Sequence, residues 1–459
     1  MLARLREAVN RPVDVAWLAA FRFLFGLIMS VSMFRFIAYG WIDQFFVKPT
    51  FHFKYWGFAW VPAPSHTVAH ALFWVMALLA ACVCVGAWFR VAAPLFAVGF
   101  AYIQLIDATT YLNHYYLALL LSALLALSPA HRAWSVDAWR RKRALTHVPA
   151  GWLWLLRVQV GIVYTYAGLA KAQSDWLLEG QPLRIWLSSL TTLPVLGPLF
   201  AWDPAALLMS WAGFLFDATI VVWMSWRRTR PFAYAIIIVF HILTRVLFPI
   251  GMFPVIMVLS ALVFFPPSWP RELWARVRRR ASSSPPMPAM VDRTWSPAVL
   301  AFASVFVVFQ LLMPLRHWLY RGNVLWDEQG MRFSWRVMVR EKNGSVTYLV
   351  KQTSTGRQWE VSPGRYLNRI QENEMAGQPD LILQLAHHIE RDFVARGLGP
   401  VQVKVEALAS LNGRPAAYLI DPNVNLAQTH DGIAKAAWIA PDPHLPVPRL
   451  RAISAARAP

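Results

Sequence analysis

Lys171 is the ionisable residue in this sequence with the least usual surroundings. It closes the run Ile162-Val163-Tyr164-Thr165-Tyr166-Ala167-Gly168-Leu169-Ala170, an apolar stretch of the kind that crosses a bilayer. Ionisable groups there are costly, and by default they mark a site. On a helix, Tyr164, Gly168 and Lys171 share one face, and Gly168 leaves room beside the amine. Desolvation would supply neutral amine, the form a general base needs. The same position also suits a lysine that snorkels to the membrane interface. His114, in Tyr111-Leu112-Asn113-His114-Tyr115-Tyr116, is the second candidate. A neutral imidazole oriented by Asn113 can stabilise a developing anion, or simply bond between helices. His241 and Arg245 share a helix face just before Phe248-Pro249-Ile250-Gly251-Met252-Phe253-Pro254, as a binding pair or as packing and anchoring groups. Asp107 and Asp217 are expected to pair with Arg22, Arg35 or Arg157. Further on, Arg316, His317, Arg321, Arg332 and Arg336 form a basic, aromatic-lined stretch. It suits a carboxylate-bearing substrate, or a juxtamembrane charge belt. The catalytic candidates are therefore Lys171 and His114. The substrate-binding candidates are Asn113, Tyr164, His241, Arg245, His317, Arg321 and Trp335. No metal site is expected, because the His387-His388 pair has no carboxylate or cysteine at ligand spacing. There is no phosphate-binding glycine loop, nucleophile elbow or Cys-x-x-Cys motif.

These groups must be positioned by elements that live in lipid. Of the 459 residues, 57% are hydrophobic and 15% charged, against about 25% charged in soluble domains. The net charge of +20 sits in short loops between apolar stretches and no recognition motif accompanies it, so nucleic acid is not a partner. Cys82 and Cys84 share one apolar run and imply no disulfide framework. Apolar stretches at 15–39, 67–88, 91–106, 111–128, 152–171, 203–226, 232–248, 250–265 and 296–314 predict about nine spans. The first is too long for a signal-peptide core and reads as a retained helix. With nine spans, every arginine-rich loop falls on one side, which the positive-inside rule makes cytoplasmic. The N-terminus is then inside and the C-terminal part extracytoplasmic.

The segment Ala281 to Pro288 reads as a linker before the last span. After Pro314 the composition turns globular. Met331 to Arg340, Ser345 to Gln352 and Val401 to Glu406 read as strands, with Lys342-Asn343-Gly344 as a turn between the first two. Asp380 to Ala395 reads as a helix stopped at Gly397. The expected fold is an all-α polytopic membrane bundle over 1–314, then a small α+β, β-rich extracytoplasmic domain over 315–459. No internal repeat appears, which places a transporter behind an enzyme or a non-catalytic lipid- or quinone-binding protein.

Taken in order, one set of motifs resembles the vitamin K-dependent gamma-glutamyl carboxylases. It comprises Asp14, Phe21-Arg22-Phe23-Leu24-Phe25-Gly26, Asn113-His114, Trp134-Ser135-Val136-Asp137, Val163-Tyr164 through Lys171 to Asp175-Trp176, and Gly251-Met252-Phe253. Pro314, His317, Gly322, Trp326, Phe333-Ser334-Trp335 and Asp421-Pro422 extend it over nearly the whole chain. The resemblance implies a membrane enzyme that uses reduced vitamin K or a related quinol, O2 and CO2 to carboxylate a glutamate-containing peptide or protein client, without a metal. It implies Lys171 as the base acting on the quinol and His114 as the family's histidine. A bacterial homologue in an inner membrane is expected from the alanine-, arginine- and proline-rich composition. The chain departs from the family at Ala170, where a second lysine is usual. It departs again at Met331-Arg332-Phe333-Ser334-Trp335, which stands for Tyr-Gly-Tyr-Ser-Trp. The animal cysteines and long lumenal extension have no counterpart, so propeptide recognition is expected to be missing.

Overall fold

The apolar stretches form helices whose ends are pinned by the few charged side chains among them. A computed structural model describes residues 2–142, 144–278 and 294–447. The apolar helices of the bundle, with shorter helices between them, are in chain order α1 (Ala16–Ala38), α2 (His66–Val85), α3 (Phe89–Ile106), α4 (Asn113–Leu127), α5 (Ala150–Lys171), α6 (Ala205–Ser225), α7 (Arg230–Leu247), α8 (Phe253–Ala261) and α9 (Pro297–Leu312). Among the described residues seven helices are long and apolar enough to cross a membrane, α9 being counted with its 3-10 continuation to Tyr320. Two of the expected spans are present as helices below that length. α4 has only 15 residues and stops at Ser128-Pro129. α8 and its 3-10 turn end at Phe264, and the next helix, Trp269–Val277, leaves at 99°. Pro266 and Pro267 lie at that break, where the missing backbone donors prevent a continuous helix. The linker 281–288 lies outside the described residues.

One end of the bundle, where the N-terminus lies, shows how the helix ends are satisfied. Arg22 is buried and donates to the carbonyls of Val83 (3.1 Å) and Cys84 (2.8 Å) in the last turn of α2, and to Trp134 O (2.6 Å). These are carbonyls that a helix C-terminus leaves without partners. Asp137 accepts from the backbone N–H groups of Trp88 and Phe89, both at 2.9 Å, where α3 starts. Asp14 accepts from Ala16 N at 2.8 Å and pairs with Arg271 at 2.9 Å. Arg157 donates to the carbonyls of Val263, Phe264 and Phe265. α1 and α2 touch at Gly26, where a Cβ would lie 2.4 Å from Cys84 N. A short ribbon of β1 (Pro12–Asp14) and β2 (His147–Pro149) ties the segments before α1 and α5 together.

At the opposite end the chain forms an antiparallel sheet of β3 (Lys342–Gln352), β4 (Gln358–Val361), β5 (Val401–Leu411) and β6 (Ala417–Tyr418), in the order β4-β3-β5-β6. β3 and β5 pair along their whole length, from Lys342 opposite Leu411 to Gln352 opposite Val401. Burial alternates along β5, with one face packed under α10 (Arg369–Ala376) and α11 (Pro379–Ala395). Two expectations fail here. Lys342-Asn343-Gly344 is inside β3 and not a turn; a Cβ on Gly344 would lie 2.4 Å from Ala376 O, so the glycine admits the end of α10. Met331 to Arg340 is not a strand, because Phe333, Trp335 and Met338 have φ of 62°, 58° and 53°. Left-handed backbone at bulky residues breaks an extended run, and it persists only where the surroundings hold it.

Candidate functional site

α5 and α6 approach closely because Gly168 has no side chain. A Cβ there would lie 2.8 Å from Ala218 N and 2.9 Å from its Cα. That contact brings Asp217 of α6 to Lys171 at the end of α5. Lys171 Nζ donates to Asp217 Oδ2 at 2.8 Å, to Ala167 O at 3.3 Å and to Val337 O at 3.4 Å. Both side chains are more than nine-tenths buried, and the ammonium stands 5.2 Å from the centre of the Trp176 ring. Beside the pair, Tyr164 Oη and His241 Nε2 share a hydrogen bond of 3.2 Å, while the buried Nδ1 of His241 has no partner. These four residues line a cavity of about 100 Å³ whose other walls are mostly apolar, Phe240 and Phe253 among them.

His114 faces a second cavity, of about 400 Å³, with Arg35, Trp41, Asn113 and Gly251. The two cavities share Ile250, Phe253, Val337 and Met338 as a common wall. The Phe253 ring stands 6.1 Å from His114 and 5.8 Å from His241. The structure therefore sets Lys171 and His114 on either side of one thin partition and not in one chamber. Gly251 turns the chain there with φ of +60°, a conformation glycine adopts without strain.

The wall residues Val337 and Met338 come from the left-handed segment, which side chains of the bundle hold in place. Tyr111 Oη accepts from Phe333 N at 2.8 Å and donates to Asn113 Oδ1 at 3.1 Å. Asn113 Nδ2 donates to Arg336 O at 3.3 Å. Trp335 is fully buried and stacked on Tyr116 with ring centres 4.9 Å apart, so it is packing within this segment and lines neither cavity. Arg336 donates to His317 Nε2 at 2.9 Å, and His317 Nδ1 donates to Pro314 O at 2.9 Å. Arg332 is committed to Asp380 and Gln378, and Arg316 to Arg332 O and Met313 O. The basic stretch is thus largely spent on internal bonds. Arg245 and Arg321 are exposed and line neither cavity, although His241, one helical turn from Arg245, is buried.

Several partners were not foreseen. Asp217 takes a lysine in place of the expected arginine. Asp107 bonds His52 at 3.1 Å, Thr109 and Gln371. Arg35 lies over Trp41 at 5.3 Å. The signal for Asp217 is that it is the one acid of α6, an otherwise apolar helix. His387 bonds the carbonyls of Leu426 and Thr429 while His388 packs on Phe51 and Tyr366, so the adjacent histidines serve separate contacts. The triad Asp43, His66 and His70, brought together across a long loop, escaped the sequence reading altogether.

The sheet is fixed to the bundle just beyond the lysine. Arg414 forms a two-pronged bond to Asp175 at 2.6 and 2.7 Å, and Asn412 adds a third at 2.7 Å. Burial pushes the Asp175 carboxyl up, but the bonds from Arg414 and Asn412 outweigh it and hold the group below the usual carboxylate range.

Fold and site together define a membrane protein of about seven apolar helices, with a buried lysine–carboxylate pair beneath a strand-containing cap. A family model described as HTTM domain matches residues 10–269, and one described as Vitamin K-dependent gamma-carboxylase, lumenal domain matches residues 295–444. The chain belongs to the vitamin K-dependent gamma-carboxylase family. No solved structure matches it.

Proposed function

We propose that the chain is an active carboxylase of this family, acting on reduced vitamin K or a related quinol with O2, CO2 and a glutamate-containing peptide or protein client. The carrying observation is the Lys171–Asp217 pair, buried in an apolar wall and flanked by Tyr164 and an unpartnered His241 Nδ1. A lipid-soluble quinol fits such surroundings: apolar walls with a few fixed polar groups are what ligand cavities of this kind offer. The larger cavity lies in the usual ligand range of about 300–1,000 Å³, the smaller below it. When bound, a reduced quinol with O2 would supply the strong base needed to take the γ-proton of glutamate for addition to CO2.

The residues of the chain do the proton handling. Lys171 passes a proton to Asp217 Oδ2 over 2.8 Å, and the neutral Nζ then accepts one from a ligand hydroxyl. The pair ends as an ammonium beside a carboxylic acid, and the ammonium holds the new anion. Ala167 O and Val337 O keep Nζ aimed while this happens. His114, across the partition, donates to negative charge developing in the larger cavity. Loop charge favours a cytoplasmic N-terminus, with the sheet on the outer side of a bacterial inner membrane.

A second reading has one observation in its favour. Lys171 already has three acceptors, which satisfies an ammonium in full and suits a purely structural ion pair in a quinone- or lipid-binding relative. Incorporation of labelled bicarbonate into a glutamate-containing peptide, with reduced vitamin K and oxygen, separates the two. Incorporation that disappears in Lys171→Ala supports the carboxylase; quinol binding without incorporation in the unaltered protein supports the binding protein.

A further inference from the structure

We propose that Asp43, His66 and His70 form a binding site for a zinc-type divalent transition ion, at the end of the bundle that carries the sheet. His66 and His70 open α2 four residues apart, so both imidazoles leave one face of the helix. Both present Nε2 to the same carboxylate oxygen: Asp43 Oδ1 lies 3.5 Å from His66 Nε2 and 3.1 Å from His70 Nε2. All three ligand atoms fall within 4.8 Å of one another. A tetrahedral ion with bonds of about 2.0–2.1 Å sets its ligand atoms roughly 3.3 Å apart, so these separations are those of two edges of such a site. The donor set of two imidazoles and one carboxylate is that of open zinc sites, with water in the fourth position. Partial exposure of His70 and Asp43, about one third each, leaves room for that water and for metal exchange.

The carboxylate comes from a π-helical turn, Asp43–Val47, a kind of distortion that often accompanies sites. Its neighbours connect the site to the rest of the molecule. Trp41 and Phe45 line the His114 cavity, and Gln44 O accepts from Asn368 Nδ2, the cap of α10, at 3.2 Å. An ion held by α2 and this turn would clamp a wall of the larger cavity and its contact with the sheet-bearing unit. The inference is independent of the carboxylation chemistry.

Metal-stripped, tag-free full-length protein in detergent is titrated with Zn(II) by calorimetry, and the bound metal is counted by mass spectrometry. One equivalent per chain is expected, with affinity at least tenfold weaker in Asp43→Asn and lost in the His66→Ala/His70→Ala double variant. Millimolar Mg(II) or Ca(II), which prefer all-oxygen ligands, should not compete. Circular dichroism and size-exclusion profiles of the variants confirm that they fold. Zinc uptake unchanged in the folded double variant, or absent from the unaltered protein, overturns the site and leaves imidazole–carboxylate contacts only.

Discussion

The two ends of the helix bundle differ in what several of their buried charged residues face. At the N-terminal end Arg22, Arg157 and Asp137 are bonded to backbone groups that helix ends leave free, and Asp14 adds an ion pair with Arg271. At the other end Lys171, Asp217, His241 and His114 border cavities, and five residues between Glu328 and Met338 have left-handed φ. The lesson is that an ionisable group in a lipid-facing protein is not by itself a site. What separates the classes is the partner: a carbonyl or amide at a helix end, or empty space beside another ionisable side chain.

Substitutions at each end sharpen or break that contrast. The largest effect is expected for Lys171→Ala, a loss of label incorporation of at least about 10²-fold, in the range general bases contribute. Unaltered turnover would move this end of the bundle into the structural class. Asp217→Asn comes next. It leaves a buried ammonium without its charge partner, and breaking such a pair costs about 3–5 kcal/mol. Denaturation in detergent should show the loss, and Lys171→Met/Asp217→Leu should recover most of the stability without activity. At the opposite end, Arg22→Met strands buried carbonyls at a cost of about 1–3 kcal/mol. Turnover per folded molecule should not change, and a large drop would erase the distinction. Gly168→Ala, by forcing α6 away from α5, is expected to cost about 1–3 kcal/mol and to lower turnover more than Arg22→Met does.

The last test lies in the sheet. Burial pushes the Lys342 ammonium down to about 8 from its ordinary 10.5, although Glu328 pulls it back up. The unfolded chain therefore binds more protons at this amine between those values, so its contribution makes stability rise with pH across that window. The melting temperature of wild type relative to Lys342→Met should climb from pH 8 to pH 10; a flat difference would show that the amine titrates normally.

The spans were legible because lipid imposes one long apolar pattern, and the short lengths of α4 and α8 were not, because prolines interrupt that pattern without altering its hydropathy. Lys171 and His114 stood out for the same reason, as polar residues where polarity is costly. Their partners did not. Asp217 is 46 residues from Lys171, and the register of α5 against α6 depends on the close approach at Gly168, which a sequence does not display. The stretch from Met331 to Arg340 misled because its β-branched and aromatic residues favour strands, while the backbone there is held left-handed by Tyr111 and Asn113, far away in sequence.

The bond from Arg414 to Asp175 also constrains how such chains can be recombined. Gln384 exchanges two hydrogen bonds with the backbone of Lys54, and Gln371 reaches Asp107, so the cap is keyed to three separate loops of the bundle. A chimera that grafts the sheet of one relative onto the helices of another would have to carry the loops around Lys54, Asp107 and Asp175 with it, or assemble with its cavity-bearing end uncovered.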